Sequence, residues 1–254
     1  MGERFKDRVV AITGAGGGLG RSIAALLAGE GARLALFDRD ARRLAETAAV
    51  CPTSIQVVGD ARSAADIERF AAEARAAFGP VEMLLPAAGV LGKAGAAIDN
   101  TEADFDRLFA INVKGPWLAC KAFVPQMREV GRGAIVLFSS TAGLAGSPTL
   151  SLYSASKGAI TLLTEAMALN HAADNIRVNC IAPGTIEGPM TDESFRLAGD
   201  AQAQAARRSL MLSGIPLRRF GEPGEIAAAV AYLLSDDAAF TTGIALPVDG
   251  GRLI

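Results

Sequence analysis

The sequence predicts an α/β fold in a single domain, built on a doubly wound parallel sheet of seven strands flanked by helices. Seven short apolar runs alternate with longer, alanine-rich helical segments over the 254 residues. The runs are continuously apolar rather than alternating, which is typical of strands covered on both faces in a parallel sheet. Repeated strand–helix alternation with right-handed crossovers produces such a sheet.

The predicted elements follow one another at regular intervals. The predicted strands are Arg8–Thr13, Arg33–Phe37, Ser54–Val58, Val81–Leu85, Ala134–Ser139, Ile176–Ile181 and Ile244–Val248. The predicted helices are Gly18–Glu30, Ala41–Ala49, Ala64–Phe78, Glu102–Glu129, Ser151–Ala173 and Glu222–Ser235. Asp40 can cap the second helix, and Ser63 with Asp66 resembles a capping box at the start of the third.

The segment Ala182–Ile215 interrupts this alternation. It is long, rich in glycine, proline and mixed polar residues, and lies between a strand and the last helix. Long insertions in compact folds are often lids or binding loops. Within the domain 1–254 we therefore expect a substrate-binding loop or lid at about residues 185–215, with Asp200–Ser213 mobile when no ligand is bound.

Composition and charge exclude several classes of function. The net charge is −2 without a dense run of lysine or arginine, which argues against nucleic-acid binding. No stretch approaches the roughly 18 consecutive apolar residues of a membrane helix, and the N-terminus lacks the apolar core of a signal peptide. Cys51, Cys120 and Cys180 are widely spaced and odd in number, as expected for reduced, buried thiols in a cytoplasmic protein.

His171 is the only histidine of the chain. A multi-histidine metal site is therefore impossible, and we predict no metal site. The residue falls near the C-terminal end of a predicted helix, where histidine usually interacts with the helix dipole or with solvent. Any acid–base chemistry is expected to depend on other side chains.

The stretch TGAGGGLG, residues Thr13–Gly20, links the first strand to the first helix. It does not match G-x-G-x-x-G in any register, but its strand–loop–helix setting favours phosphate binding, because backbone amides at a helix N-terminus attract anions. Tight packing alone is the alternative explanation for such glycines. Asp38 ends the second strand, where a carboxylate can bind an adenosine ribose or simply begin a helix. Asp60 follows the third strand, beside an adenine edge or in an ordinary loop.

Asp38 also bears on the choice of cofactor. A carboxylate facing a 2′-phosphate is a like-charge contact, so NAD is favoured over NADP. Arg39 is adjacent and can reach a phosphate. The loop itself, Ala15–Leu19, carries no lysine or arginine, which weakens the case for NADP.

Acid–base chemistry is suggested by YSASK, residues Tyr153–Lys157. Residues at i and i+4 share a helix face, and an ammonium beside a phenol favours the phenolate and lowers the pKa of the tyrosine. A surface pair is the alternative. Upstream, Ser139 and Ser140 end a buried strand at the edge where ligands of α/β proteins bind, so that one of them can hydrogen-bond a substrate oxygen.

Together these motifs resemble the short-chain dehydrogenase/reductase superfamily, of the NAD-preferring T-G-x-x-x-G-x-G and Y-x-x-x-K type. The resemblance covers the whole chain and implies a Rossmann-like fold. The motifs that carry it, in family order, are Thr13–Gly20, Asp38, INVKG at Ile111–Gly115, Ser139–Ser140, Tyr153–Lys157, APG at Ala182–Gly184 and VDGG at Val248–Gly251.

The resemblance implies a role for each catalytic residue. Tyr153 is expected to be the general acid–base in reversible hydride transfer between a secondary alcohol and nicotinamide. Lys157 lowers the pKa of Tyr153 and holds the nicotinamide ribose, Ser140 rather than Ser139 orients the substrate oxygen, and Asn112 helps hold a water relay. The expected cofactor residues are Gly14, Gly18, Leu19, Gly20, Asp38, Arg39, Asp60, Ala61, Ala88, Gly89, Tyr153, Lys157, Pro183, Gly184, Thr185 and Ile186. A homotetramer is also implied.

Two positions depart from the family pattern. Where N-N-A-G is usual, the chain has Pro86-Ala87-Ala88-Gly89, and Gly188 stands in place of the usual threonine after APG. Thr185 or Thr191 can replace that threonine. The substrate itself is not specified: Glu187, Arg207 and Arg208 face either an ionic substrate or solvent, and solvent is favoured.

Three functions are compatible with these residues. The first is an NAD-dependent secondary-alcohol dehydrogenase or ketone reductase acting on a small molecule. The second is an NADPH-dependent 3-oxoacyl-thioester reductase, which shares nearly every motif. The third is a nucleotide-binding protein without turnover, which the presence of both Tyr153 and Lys157 disfavours.

Overall fold

A computed structural model describes residues 3–196 and 198–254. Its seven strands form one sheet in the order β3-β2-β1-β4-β5-β6-β7, and every neighbouring pair is parallel. The strands are β1 Val9–Thr13, β2 Arg33–Asp38, β3 Ser54–Val58, β4 Met83–Pro86, β5 Gly133–Phe138, β6 Ile176–Pro183 and β7 Ala245–Val248. The predicted fold class and the seven-stranded sheet are confirmed. The strand order reverses between β1 and β4, which opens a crevice at their carboxyl ends.

Nine α-helices are present among the described residues. They are α1 Gly18–Gly29, α2 Ala41–Ala48, α3 Ala64–Phe78, α4 Glu102–Phe109, α5 Gly115–Val130, α6 Ser151–His171, α7 Pro189–Arg196, α8 Ala201–Ser213 and α9 Pro223–Leu234. The side chains of Asp40 and Ser63 accept the expected capping hydrogen bonds, from Arg43 N–H and Asp66 N–H. No helix within these residues is long and apolar enough to cross a membrane.

Two of the sequence predictions about helices need correction. The single helix predicted over 102–129 is divided into α4 and α5 by a π-helical turn, Ala110–Lys114. The segment predicted as a loop or lid at 185–215 contains two helices, α7 and α8.

The core lies on both faces of the sheet, as the continuously apolar strands predict. On one face Phe70 packs between Phe37 and Phe123, with ring centres 4.9 and 5.3 Å away. On the other face α1 and α9 cover the strands and bury residues such as Ile23 and Val230. All three cysteines are buried and free, and burial raises the pKa of Cys120 to about 12, which makes it an inert core thiol.

Candidate active site

The glycine loop is shaped by close approach of two strands and a helix. Gly14 has φ +71°, and a Cβ there would lie 2.6 Å from the amide nitrogen of Ala88 at the end of β4. A Cβ on Gly20 would overlap the carbonyl oxygen of Gly14. Because Gly17 occupies the N-cap and has no side chain, the amides of the first turn of α1 keep no internal acceptor. The loop can therefore receive an anion at a helix N-terminus.

A cavity of about 230 Å³ opens beside this loop at the carboxyl edge of the sheet. Seven of the predicted cofactor residues line it, namely Gly14, Asp38, Arg39, Asp60, Ala61, Ala88 and Gly89. Gly16, Gly17 and Val90 also line it. The other nine lie outside the lining: Gly18, Leu19 and Gly20 open α1, Tyr153 and Lys157 lie on α6, Pro183 ends β6, and Gly184, Thr185 and Ile186 follow it.

Asp38 ties the glycine loop to the second strand. Its Oδ2 accepts a hydrogen bond from Gly16 N–H at 2.9 Å, and its Oδ1 accepts one from Asp40 N–H at 3.0 Å. The carboxylate thus faces the cavity as an acceptor with free lone pairs, as ribose hydroxyls require.

Arginines also surround this end of the cavity. Arg39, Arg43 and Arg62 line it together with Asp38 and Asp60. Asp60 is already paired, because Arg62 Nη2 donates to its Oδ2 at 2.6 Å, and this hydrogen bond lowers the pKa of the Asp60 carboxyl. The side chain of Asp60 is therefore engaged with Arg62 where the sequence predicts a contact to adenine.

Tyr153 and Lys157 lie together at the start of α6. The Lys157 ammonium nitrogen is 5.6 Å from the centre of the Tyr153 ring and donates to the carbonyl oxygen of Phe138 at 2.7 Å. Burial lowers the pKa of Lys157 to about 8. Burial raises the pKa of Tyr153, and a hydrogen bond with Ser140 opposes that rise. In this arrangement burial is the largest influence on the pKa of Tyr153, and the Lys157 ammonium is bonded to the Phe138 carbonyl.

The two serines at the end of β5 have different surroundings. Ser139 is 3% exposed, and its hydroxyl donates to Lys157 O at 3.0 Å and lies 2.8 Å from Thr161 Oγ1. It therefore fastens the sheet to α6. Ser140 is half-buried, accepts from Ala142 N–H at 3.1 Å and meets Tyr153. Of the two, Ser140 is the serine whose hydroxyl contacts Tyr153.

Asn112 lies in the π-helical turn and is 1% exposed. Its amide exchanges two hydrogen bonds of 2.9 Å with the backbone of Val90, and its Nδ2 also donates to Ser156 Oγ at 3.2 Å. Ser156 Oγ in turn donates to Tyr153 O at 2.8 Å. This chain of bonds connects the segment after β4 with the first turn of α6.

Sequence reasoning missed two residues that hold this arrangement. Ser156 is fully buried and links Asn112 to Tyr153. A Cβ on Gly143 would lie 2.6 Å from the carbonyl carbon of Lys157, so glycine lets the turn after Ser140 rest on α6. Ser156 lies inside the YSASK motif and Gly143 lies three residues after Ser140, and in each case the small size of the residue was the available signal.

The two departures from the family pattern keep their backbone contacts. Pro86 pairs with Thr13 in the sheet, and Ala87 N–H donates to Thr13 O at 3.0 Å. Near the other departure, Thr191 Oγ1 donates to Ile186 O at 2.5 Å. Thr191, one of the two predicted substitutes for the missing threonine, thus braces the chain that follows β6.

Replacing Lys157 by Met is expected to change how stability depends on pH. The pKa of Lys157 falls from 10.5 to about 8 on folding, so between these values the unfolded chain binds a proton that the folded protein does not. Stability from this residue therefore rises with pH across that window. Urea unfolding between pH 7 and 10.5 without cofactor gives the free energy of unfolding of each protein, and the value of the variant is subtracted from that of the wild type at each pH.

That difference should grow with pH for Lys157→Met and stay flat for Lys121→Met, a lysine on the exposed side of α5. A difference that does not vary with pH would show that the Lys157 ammonium is solvated rather than buried.

The fold and site together define a nucleotide-dependent oxidoreductase, and comparison with known proteins identifies the family. Residues 14–252 match the family model described as Enoyl-(Acyl carrier protein) reductase. The chain belongs to the short-chain dehydrogenase/reductase superfamily, and it is an oxidoreductase of the alcohol/ketone type.

Particular relatives cover nearly the whole chain. It is 41% identical to 2-(S)-hydroxypropyl-CoM dehydrogenase 3 of Xanthobacter autotrophicus, over 99% of this chain and 98% of the relative. It is 38% identical to levodione reductase of Leifsonia aquatica, over 98% and 95%. The crystal structure of NAD+-bound xylitol dehydrogenase superposes with a TM-score of 0.94 at 35% identity, over 97% of this chain and 99% of that one.

Proposed function

We infer that the protein is an NAD-dependent dehydrogenase that interconverts a small secondary alcohol and its ketone. The observation that carries this is the contact of Ser140, Tyr153 and Lys157 at the carboxyl edge of the sheet. The names of three relatives, 2-(S)-hydroxypropyl-CoM dehydrogenase 3, levodione reductase and xylitol dehydrogenase, describe alcohol or ketone chemistry.

The residues around the cavity fit a dinucleotide. A Cβ at Gly14 or Gly20 would clash with the backbone around the loop that leads into α1, and the first-turn amides of α1, which have no side-chain cap, suit a diphosphate. Asp38 offers acceptors for ribose hydroxyls and repels a 2′-phosphate. The remaining proposed contacts are Gly18, Leu19, Arg39, Asp60, Ala61, Ala88, Gly89 and Pro183–Ile186.

When bound, NAD supplies the nicotinamide carbon that accepts or returns the hydride. Tyr153 takes the hydroxyl proton of the alcohol during oxidation and gives it back during reduction. Ser140 holds the same substrate oxygen by a hydrogen bond. Lys157 holds the nicotinamide ribose and, once turned from the Phe138 carbonyl, places its positive charge where it lowers the pKa of the phenol. Asn112 fixes the Val90 backbone beside Lys157 and supports the water relay.

The proposal also covers the role of the lid and the oligomeric state. Residues 185–215 cover the substrate, and the protein is a cytoplasmic homotetramer. Exposed apolar side chains on α4, α5 and α6 support burial between subunits, among them Phe105, Trp117, Leu162 and Leu169. Phe240 and Ile254, fully exposed near the C-terminus, offer a second apolar surface.

Comparison of initial rates with NAD+ and NADP+ tests the cofactor. Across polyols, hydroxy acids, cyclic alcohols and hydroxyacyl esters, NAD+ is expected to be preferred by at least about tenfold in kcat/KM, because Asp38 faces the ribose. Asp38→Ser should reduce that preference, since the Asp38 carboxylate then no longer opposes a 2′-phosphate beside Arg39 and Arg43. Absorbance of the reduced cofactor measures both.

The arginines that line the cavity beside Asp38 leave one alternative open, a preference for NADPH. A strong NADPH preference of the wild type, with activity confined to 3-oxoacyl thioesters, would replace the proposal by a 3-oxoacyl-thioester reductase. Arg43→Gln is the matched variant in that case, because its loss should then weaken NADPH and leave NADH binding in place.

A further inference from the structure

The two helices of the lid carry three arginines with different partners. Arg196 forms an ion pair with Glu193 on α7. Arg208 on α8 donates to Glu187 at 2.8 Å, and its guanidinium lies 4.7 Å from the centre of the Phe220 ring. Each of these two cations is neutralised by a carboxylate of the same segment. From the sequence, Glu187, Arg207 and Arg208 face either an ionic substrate or solvent. Glu187 and Arg208 instead pair with each other, which leaves Arg207.

Arg207 is the exception among these arginines. In residues 3–196 and 198–254 no carboxylate lies within ion-pair distance of it, whereas both neighbours in the lid have one. Its Nη2 donates to the hydroxyl of Ser194 at 3.1 Å, so the side chain reaches from α8 to α7. Its Nε is buried and has no acceptor within the described part of the chain. A buried guanidinium N–H without a partner is unfavourable, and native proteins rarely keep one without a reason.

The lid starts at the same edge of the sheet as the candidate active site. The segment leaves β6 at Pro183, on the sheet edge that also carries Ser140 and Tyr153. At the start of α7, Pro189 is so close to the glycine loop that a Cβ on Gly18 would lie 3.4 Å from its Cδ. Ser194 follows five residues later on the same helix, about 7.5 Å further along its axis.

We propose that Arg207, together with Ser194, binds an anionic group of the substrate that lies away from the reacting carbon. This substrate class rests on the proposed function and narrows it to secondary alcohols or ketones that carry a carboxylate, sulfonate or phosphate. The guanidinium fork presents Nε and an Nη as parallel donors, which matches two oxygens of such a group. The Ser194 hydroxyl supplies a further donor to the same oxyanion. The missing acceptor of Nε is then an oxygen of the substrate.

Matched substrate pairs test this assignment by kinetics. 3-Hydroxybutanoate and its neutral methyl ester carry the same secondary alcohol, and 2-hydroxypropane-1-sulfonate and 2-hydroxypropyl phosphate extend the series to the other anions. The anionic member is expected to exceed the ester by about ten- to a hundredfold in kcat/KM, as for a charge-assisted hydrogen bond in a buried site. Arg207→Met should bring that ratio close to one, and Arg207→Lys should retain part of it.

Arg196→Met is the matched control. It removes an arginine of the same lid that already has its carboxylate partner, so the ratio of anionic to neutral substrate should stay at the wild-type value. Equal loss of the ratio in Arg196→Met and Arg207→Met would indicate a general effect of lid charge and would overturn the assignment to Arg207.

A binding measurement separates this proposal from the proposed function. Butanoate, propane-1-sulfonate and propyl phosphate should each raise the thermal midpoint of the wild type with NAD+ present, or one of them should do so selectively, while 1-butanol should not. The shift should be lost in Arg207→Met and partly kept in Arg207→Lys. Equal midpoints of the ligand-free proteins establish that these variants are folded.

The outcomes are distinct. Oxidation of neutral and anionic alcohols at equal kcat/KM, with no Arg207-dependent thermal shift, would refute the anion site and leave the dehydrogenase intact. An Arg207-dependent shift without oxidation of any alcohol would support the anion site and refute the dehydrogenase. If the partner of Arg207 Nε is only an ordered water, no anion would raise the thermal midpoint. That result would also refute the anion site.

Discussion

Tyr153→Phe is expected to lower kcat by about 10²- to 10⁴-fold, the usual contribution of a positioned acid–base group. The change removes one oxygen and keeps the ring, so packing at the start of α6 should persist. NADH affinity should stay within about twofold of the wild type, because the phenol is assigned to the substrate proton rather than to the diphosphate. Steady-state turnover and fluorescence titration with NADH measure the two quantities.

The chain supplies its own control for this substitution. Tyr232 is the other of its two tyrosines, is exposed on α9 and has its hydroxyl 3.5 Å from Thr241 Oγ1. Tyr232→Phe should leave both turnover and affinity unchanged. Near-normal turnover of Tyr153→Phe would falsify the proton role, whereas equal losses in both variants would indicate damage to the fold.

The surroundings of Tyr153 refine the mechanism that its motif suggests. Burial raises the pKa of the phenol, and the nearby ammonium is bonded to the Phe138 carbonyl. In this arrangement burial favours the neutral phenol. In the proposed mechanism, a positive charge from Lys157 placed closer to Tyr153 would favour the phenolate that oxidation of an alcohol needs.

Local signals of the sequence were sufficient for the sheet and the caps. Strands covered on both faces are continuously apolar, so each run marked a strand within about two residues. Asp40 and Ser63 were recognised because capping depends on one side chain and the next turn. The choice of Ser140 over Ser139 comes from the family resemblance, since the residues alone leave both serines open.

Other features depend on tertiary contacts that no local pattern reports. Residues 102–129 are helical in composition throughout, and the π-helical turn around Asn112 arises where the amide of that residue bonds Val90. The short helix α7 gains stability by packing Phe195 on Ile215 and Phe220. The helix α8 differs, because it is rich in the strong helix formers alanine, glutamine, arginine and leucine and is capped by Asp200.

The glycine loop shows the same division between local and tertiary information. From the sequence, Gly14, Gly18 and Gly20 are expected to be intolerant and Gly16 and Gly17 freer. The structure gives close contacts at Gly14 and Gly20, but at Gly18 it leaves an ordinary contact distance of 3.4 Å to Pro189. A Cβ on Gly16 would lie 2.9 Å from Arg43 Cβ, so that position is tighter than expected. Any intolerance at Gly18 must then come from a bound diphosphate.

Gly20→Ala is expected to lower the free energy of unfolding by about 1–3 kcal/mol, the usual effect of overpacking, and to weaken NADH binding more than about tenfold. The new methyl would overlap Gly14 O and lie 3.0 Å from Ala15 Cα. Gly14 cannot withdraw, because its own Cα region rests against the backbone of Ala88. The loop must therefore open, which displaces the amides proposed to bind the diphosphate. Urea unfolding and NADH titration measure the two effects.

Gly29→Ala isolates this steric effect, because it makes the same change at the other end of α1 where nothing lies within 4 Å of the new Cβ. It should leave NADH affinity unchanged and leave stability equal or up to about 1 kcal/mol higher, as alanine is the better helix former. If Gly20→Ala lost stability but bound NADH as the wild type does, the loop would be a packing element and the diphosphate would lie elsewhere. If Gly20→Ala kept both the stability and the NADH affinity of the wild type, a small shift of α1 would have relieved the close approach of Gly20 to Gly14.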